Sequence, residues 1–250
     1  MLDSLLEPHF QLEVKRVNIT VSRVIGVTLR VAQVSDMHFP SLLSPVYDRA
    51  IIAVRDCKPD IVVVTGDLVS TAKGVGQACE FVGALSEAAP ALVVWGNWDY
   101  WALGQSLAEF RSKLQRAGDV RVLVNEALRT DTGVWIVGLD DPHTGRANAK
   151  RALSGLGDEH CIALAHSPQA VGLLKGRTCC LLAGHTHGGQ VVLPLIGPPF
   201  VPLSRKYRHL VAGLYEEYGV KIYVNRGLGT TGLPVRLLCP PEVTILDIAL

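Results

Sequence analysis

Seven residues at five places in the chain have side chains suited to holding metal: Asp36-Met37-His38, Gly66-Asp67, Gly96-Asn97, His166 and Gly184-His185-Thr186-His187. Each place follows a short apolar run (Leu29 to Val34, Ile61 to Val64, Leu92 to Trp95, Cys161 to Ala165, Cys179 to Ala183) with the composition of a strand buried on both faces. Loops at the C-terminal ends of strands in an open α/β sheet converge on one crevice, so a single shared site is expected. Four imidazoles, two carboxylates and one carboxamide form a mixed nitrogen and oxygen set. It suits Mn²⁺, Fe or Zn²⁺ better than Mg²⁺ or Ca²⁺, and it is large enough for two divalent ions, manganese being the first choice. Asp67 offers two oxygens for bridging them, and Gly66 lets backbone come close. In an extended segment the side chains at i and i+2 share a side, so Asp36 with His38, and His185 with His187, are each expected to face one cation.

The elements that must position these residues alternate. Gln11 to Thr20 and Val27 to Ser35 read as strands, and Ser44-Pro45 opens a helix to about Cys57, Pro losing nothing at a first turn. Gly74 to Glu87 and Leu103 to Ala117 read as helices around a strand at Ala91 to Trp95. Val120 to Val124 and Val134 to Gly138 read as strands joined by a turn-rich Asn125 to Gly133. Ala147 to Leu153 is a short helix, and Ser167-Pro168 opens another to about Lys175. Gln190 to Leu193, Lys221 to Val224 and Val243 to Ile248 read as strands. A βαβαβ half followed by a mostly β half predicts a four-layer α/β sandwich, two mixed sheets flanked by helices, in one domain spanning 1–250.

At 250 residues and 48% hydrophobic content the chain can bury a large core. Lys and Arg number 24 against 23 Asp and Glu, so no strong field points to nucleic acid. The six cysteines follow neither a zinc pattern nor a disulfide framework, and read as core residues of a reducing compartment. The first residues show no signal-peptide pattern, so a cytoplasmic place is expected. Gly188 to Ser204 holds four prolines and three glycines, which excludes a membrane-spanning helix there.

The order Asp36-x-His38, Gly66-Asp67, Gly96-Asn97, His166, Gly184-His185-x-His187 resembles the calcineurin-like metallophosphoesterase family over most of the chain. Gly184 to Gln190, Arg226-Gly227-Leu228-Gly229 and Pro241-Glu242-Val243-Thr244 resemble a bacterial branch often described as phosphodiesterases. The resemblance implies that Asp36, His38 and His187 hold one ion, that Asn97, His166 and His185 hold the other, and that Asp67 bridges them. It also implies a bridging hydroxide that attacks phosphorus. The implied substrate is a phosphorylated small molecule or a nucleotide-lipid. Some members of the superfamily keep the fold as scaffolds without turnover, and such proteins are expected to have lost ligands.

The chain departs from the family after Asn97. Much of the family has a His there, which protonates the leaving oxygen; here Trp98 stands in its place, followed by Asp99. Indole is no general acid. A basic alkoxide needs that proton and a phosphate leaving from an anhydride does not, so the departure leans toward pyrophosphate or aryl ester bonds. Pyrophosphatases of UDP-2,3-diacylglucosamine, relatives that also lack this His, share the bias. Trp98 reads as a cleft wall with Tyr100 and Trp101, or as a packing residue with His143 taking the acid role. Asp99 reads as a hydrogen-bond acceptor behind the ligands or as a helix N-terminal acid. Asp67, Asn97, Asp99 and His143 are thus the residues expected to take part in catalysis. The loop Val192 to Tyr207 is apolar and then basic, and reads as a membrane-contacting patch or as a loop packed back on the sheets. Leu2, Leu5, Leu6 and Phe10 are candidates to join that patch.

Overall fold

Residues 11–22, 26–41 and 44–250 are described by a computed structural model of the chain. The first ten, which include Leu2, Leu5, Leu6 and Phe10, lie outside them. Twelve strands run through the described residues: β1 (Glu13–Thr20), β2 (Thr28–Val34), β3 (Ile61–Thr65), β4 (Ala91–Val94), β5 (Val120–Val122), β6 (Glu126–Arg129), β7 (Trp135–Gly138), β8 (Cys161–Leu164), β9 (Cys179–Ala183), β10 (Gly213–Glu217), β11 (Val220–Val224) and β12 (Glu242–Ala249). One sheet has the order β1-β12-β2-β3-β4-β5, the other β10-β11-β9-β8-β7-β6. Strands β2 to β5 are parallel neighbours, as are β7, β8 and β9. All five expected ligand-bearing strands therefore point their C-terminal ends the same way within their own sheet.

Alternation along each strand splits the apolar residues between two faces. Val31, Val63, Leu92 and Val94 of the first sheet meet Ile136, Ile162, Leu164 and Leu182 of the second in the middle of the molecule. The other face of the first sheet, with Val62, Val64 and Val93, is covered by α1 (Ser44–Cys57), α2 (Val75–Ser86) and α4 (Leu107–Ala117) through Val54, Val82 and Leu114. The outer face of the second sheet, with Val137, Ala163 and Leu181, packs on α5 (Ala149–Ala152), a 3-10 helix at Pro168–Leu173 and the loop carrying Leu203 and Leu210. The result is the four-layer α/β sandwich with two mixed sheets. The cysteines are free thiols, buried except for the half-buried Cys79. Among the described residues no helix is long and apolar enough to cross a membrane.

Four local expectations fail. Asn125 to Gly133 is not simply a join: β6 lies within it and pairs antiparallel with β7, its three half-buried residues too few to show a period. The helix expected from Leu103 starts earlier, as α3 (Asn97–Leu103), and is broken by a 3-10 turn at Gly104–Ser106 before α4. The Ser167-Pro168 helix is 3-10 instead of α, and Ser167 caps it with no side-chain bond. Gln190 to Leu193 makes only isolated pairings, Val191 with Leu237 and Leu193 with Gly197.

Because the two sheets press together through residues such as the fully buried Leu182, Leu182→Ala should cost about 2–5 kcal/mol of stability in urea unfolding. A loss near zero would mean that the sheets are not packed there.

Candidate metal centre

The loops after β2, β3 and β4 are laced together edge to edge. Asp36 N–H donates to Gly66 O at 3.0 Å and His38 N–H to Asp67 O at 3.0 Å. In the second sheet Gly184 N–H donates to His166 O at 2.8 Å. The reason that Asp36 and His38 converge differs from the extended-segment expectation. Asp36 (φ 53°), His38 (φ 55°), Asp67 (φ 52°), His185 (φ 72°) and His187 (φ 51°) all adopt the left-handed conformation. Each such residue turns the chain sharply inward at the end of a strand, at a cost of about 1–2 kcal/mol for a non-glycine residue. Space is the other requirement. A Cβ on Gly66 would lie 2.7 Å from both Gly96 N and His166 Nδ1, and one on Gly96 would collide with the Asp67 carboxylate.

Two buried groups of ligand atoms result, Asp36 with His38 and His187, and Asp67 with His166 and His185. Within the first, His38 Nε2 lies 3.0 Å from His187 Nε2, and His187 Nε2 lies 3.4 Å from Asp36 Oδ1. Within the second, His166 Nε2 lies 3.0 Å from His185 Nδ1 and 3.2 Å from Asp67 Oδ2. Asp67 Oδ2 is also 3.5 Å from His38 Nε2, so one oxygen stands between the groups. Its other oxygen, Oδ1, accepts from Trp98 N–H at 2.8 Å. Backbone carbonyls fix two imidazoles: Thr65 O faces His166 Nδ1 at 2.8 Å, and Pro202 O faces His185 Nε2 at 3.0 Å. Those contacts turn the opposite nitrogens inward as lone pairs, the arrangement that ligation needs. Asn97 is buried with its Oδ1 lacking any hydrogen-bond partner, a costly state for an amide oxygen unless a cation meets it.

Electrostatics agree with a cation site. Burial lowers His38 to about 4 and His185 to about 3, so both rings are neutral, as ligands must be. His166 goes the other way: burial opposes its charge, but Asp67 and Asp36 outweigh that and raise it to about 10. The carboxylates that raise it are the negative charge that a cation held there would balance. The residues fit two metal ions.

Around this centre, Trp98 sets its indole edge-on to His38 with centroids 5.7 Å apart, and Trp101 packs on Trp98 at 5.5 Å. His143 is exposed and lies 4.9 Å from the His185 ring and 6.0 Å from Trp101. Its loop is held by Asp141, which accepts from His143 and Thr144 N–H, and by Tyr100, whose hydroxyl donates to Asp140 at 2.6 Å under the Arg146 guanidinium. Tyr100 is thus a brace for that loop. Asp99, expected among the catalytic residues, is fully buried and has both oxygens engaged by backbone: Leu68 N–H and Val69 N–H reach Oδ1, and Gly96 N–H reaches Oδ2. It ties the loop after β3 to the start of α3 and offers no free atom to a substrate.

Sequence reasoning missed Arg236. It is fully buried, and its guanidinium donates to the carbonyls of Arg226, Gly227, Gly229 and Cys239 while facing His187 Nδ1 at 3.5 Å. The Arg226 to Gly229 segment it gathers closes over Asp36, whose backbone carbonyl accepts from Gly229 N–H at 2.8 Å. The available signal was a lone charge inside Leu233-Pro-Val-Arg-Leu-Leu-Cys239, since an arginine in an apolar run is buried only when its donors are matched. Glu242 was noted only as part of a motif, and it too is buried, accepting from Tyr223, Asn225 and Arg226.

If Asp99 serves the backbone, Asp99→Ala strands three buried N–H groups and should cost about 3 kcal/mol or more in urea unfolding. An unchanged unfolding midpoint with turnover lost would return Asp99 to the chemistry.

The profile of the calcineurin-like phosphoesterase family matches residues 29–189, a span that includes all seven candidate ligands. The chain is 32% identical over 226 residues to the uncharacterized metallophosphoesterase YkuE of Bacillus subtilis (strain 168), covering 86% of this chain and 77% of that one. It is 29% identical over 230 residues to the phosphodiesterase YaeI of Escherichia coli (strain K12), covering 86% and 80%. Among solved structures it is similar to TT1561 of Thermus thermophilus, with a TM-score of 0.54 at 15% identity over 81% of this chain and 91% of that one, a likeness of fold. With the fold, the two ligand groups and the family match in agreement, the chain belongs to the calcineurin-like phosphoesterase family of metal-dependent hydrolases.

Proposed function

We propose that the protein hydrolyses phosphoanhydride or phosphoester bonds at a two-metal centre, with Asp36, His38 and His187 on one ion, Asn97, His166 and His185 on the other, and Asp67 shared. The observation that carries this division is the position of Asp67 Oδ2, 3.5 Å from His38 Nε2 and 3.2 Å from His166 Nε2. The unpartnered Oδ1 of Asn97 supports its place as a neutral ligand. Two ions held there supply Lewis acidity toward a phosphate and a lowered pKa for water between them. Manganese suits this nitrogen and oxygen set best, with iron or zinc next. A scaffold without turnover would not need every ligand position filled, and here all seven are.

The residues beside the ions bear on which bond is cut. Trp98 lies edge-on to His38 and brings no proton to a leaving group. His143, held against His185 by its braced loop, is the imidazole outside the ligand set that reaches this edge of the site, and we assign it the donor role. A donor on a loop at the rim serves less well than one fixed beside Asn97, so bonds with good leaving groups are favoured. Pyrophosphates, including nucleotide-lipid pyrophosphates such as UDP-2,3-diacylglucosamine, and aryl esters belong to that class; simple alkyl diesters do not.

Two experiments test this reading. Asp67→Ala should abolish turnover of an aryl phosphodiester and leave neither ion tightly bound on manganese titration, whereas His185→Ala and His187→Ala should each empty a different site. Both histidine variants emptying the same site would show the ligands to be divided otherwise. In the second, turnover should fall steeply as leaving-group basicity rises, and His143→Ala should lower alkyl ester turnover about 100-fold while changing aryl ester turnover little. Equal losses on both substrates would remove His143 from proton transfer.

A further inference from the structure

The second sheet ends in an exposed apolar rim that the hydrolysis reading does not use. Leu193 and Gly197 pair across a tight turn, and the tip between them holds Leu195 in the left-handed conformation and wholly in solvent, at 109% exposure, with Ile196 beside it at 77%. Phe200 follows at 70%. A neighbouring loop is stitched to this one, since Val192 N–H donates to Leu237 O and the Gln190 side chain donates to Thr231 O and Leu233 O; it adds exposed Leu233 and Leu238. Isolated apolar side chains on a surface are ordinary, but five large ones on two stitched loops, raised on proline and glycine turns, are not.

Charge singles out what covers them. Between residues 160 and 241 the chain has eight Lys and Arg and two acids, Glu216 and Glu217, but Arg177, Lys221 and Arg226 pair with acids and Arg236 is buried. Both acids face partners, Glu216 on Lys221 and Glu217 on His209. Just beyond Phe200, the side chains of Arg205, Lys206 and Arg208 are exposed. A protein partner would have to offer both an apolar socket for a protruding tip and separate acids for these cations. A bilayer containing anionic lipid supplies both as a matter of layering, with negative headgroups above hydrocarbon.

We infer that this rim docks the protein onto an anionic lipid surface, with Leu195, Ile196 and Phe200 entering the headgroup boundary and Arg205, Lys206 and Arg208 lying over lipid phosphates. The same loop reaches the candidate metal centre, because Pro202 O accepts from His185 Nε2. Such docking is independent of the identity of the substrate, so turnover of a soluble aryl phosphodiester is expected with or without a membrane.

The test is co-sedimentation of the full chain with vesicles of phosphatidylcholine alone and of phosphatidylcholine with phosphatidylglycerol. The protein should pellet with the anionic vesicles and scarcely with the neutral ones, and added salt should release it. A variant combining Leu195→Asp, Ile196→Asp and Phe200→Asp, and another combining Arg205→Glu with Lys206→Glu, should each weaken partitioning about tenfold or more while turning over the soluble substrate at the normal rate. Retained turnover shows that the variants are folded and that a loss of binding belongs to the rim. Binding that is absent with anionic vesicles, equal on both vesicle types, or unchanged in the variants overturns the inference. So does a dimer in sedimentation that the apolar variant disperses in the absence of vesicle binding, which would make the rim an interface between two copies.

Discussion

The position of one carboxylate governs the rest of the site. Asp67 lies in the loop just after β3 of the first sheet, yet its Oδ2 is shared between His38, from the same sheet, and His166, from the other. Its Oδ1 is held by Trp98 N–H at the start of α3, which in turn is set by Asp99 drawing Gly96, Leu68 and Val69 toward one point. Burial alone would push the carboxyl of Asp67 up. Its contacts with His166 outweigh that and hold it well below the ordinary range, so an anion persists in the interior where the two sheets converge. The surrounding glycines, the buried amide of Asn97 and the left-handed turns all follow from packing six other polar side chains around that one group.

The left-handed turns show how the molecule reconciles a dry core with a polar site. A strand that continued straight would carry Asp36 or His185 away from the opposite sheet. The turn brings the ligand atoms inside while backbone hydrogen bonds between adjacent loops absorb the strain. Arg236 plays the complementary part from the far side. Its guanidinium collects carbonyls that a loop of this shape cannot pair with one another, and no chain of ordinary turns would satisfy so many in so little space.

The seven candidate ligands could be picked out in the amino-acid sequence because each place follows an apolar run long enough to announce a buried strand. The two sheets were legible from the same runs. What was not legible depends on tertiary context. The strand β6 is four residues, three of them half-buried, with no period to read, and it exists because β7 needs an edge partner. The pairing of Asp36 with His38 was foreseen but for the wrong reason, as spacing alone does not distinguish an extended segment from two left-handed residues. Asp99, read from the sequence as an acceptor behind the ligands or a helix N-terminal acid and also placed among the catalytic residues, serves the backbone, and two of the three amides it binds come from a loop some thirty residues earlier. Helix Pro168–Leu173 shows the limit of capping rules: Ser and Pro mark where it begins, while its packing against β9 and β11 is tertiary context that no cap encodes.

Strand β12 lies between β1 and β2, parallel to the first and antiparallel to the second, so it is an interior strand supplied from far along the chain. Arg30 and Asp247, which clasp each other across that pairing, are 217 residues apart. Among the described strands, β1 pairs only with β12. A nascent chain can therefore form the β2 to β5 platform and its helices early, but β1 has nothing to join until β12 has left the ribosome, and the completion of the first sheet must wait for it. Such a chain depends late in its synthesis on closing a very long loop, the slow kind of contact. The buried clasp of Glu242 with Tyr223, Asn225 and Arg226 rewards that closure by locking β12 to the second sheet as it seats in the first.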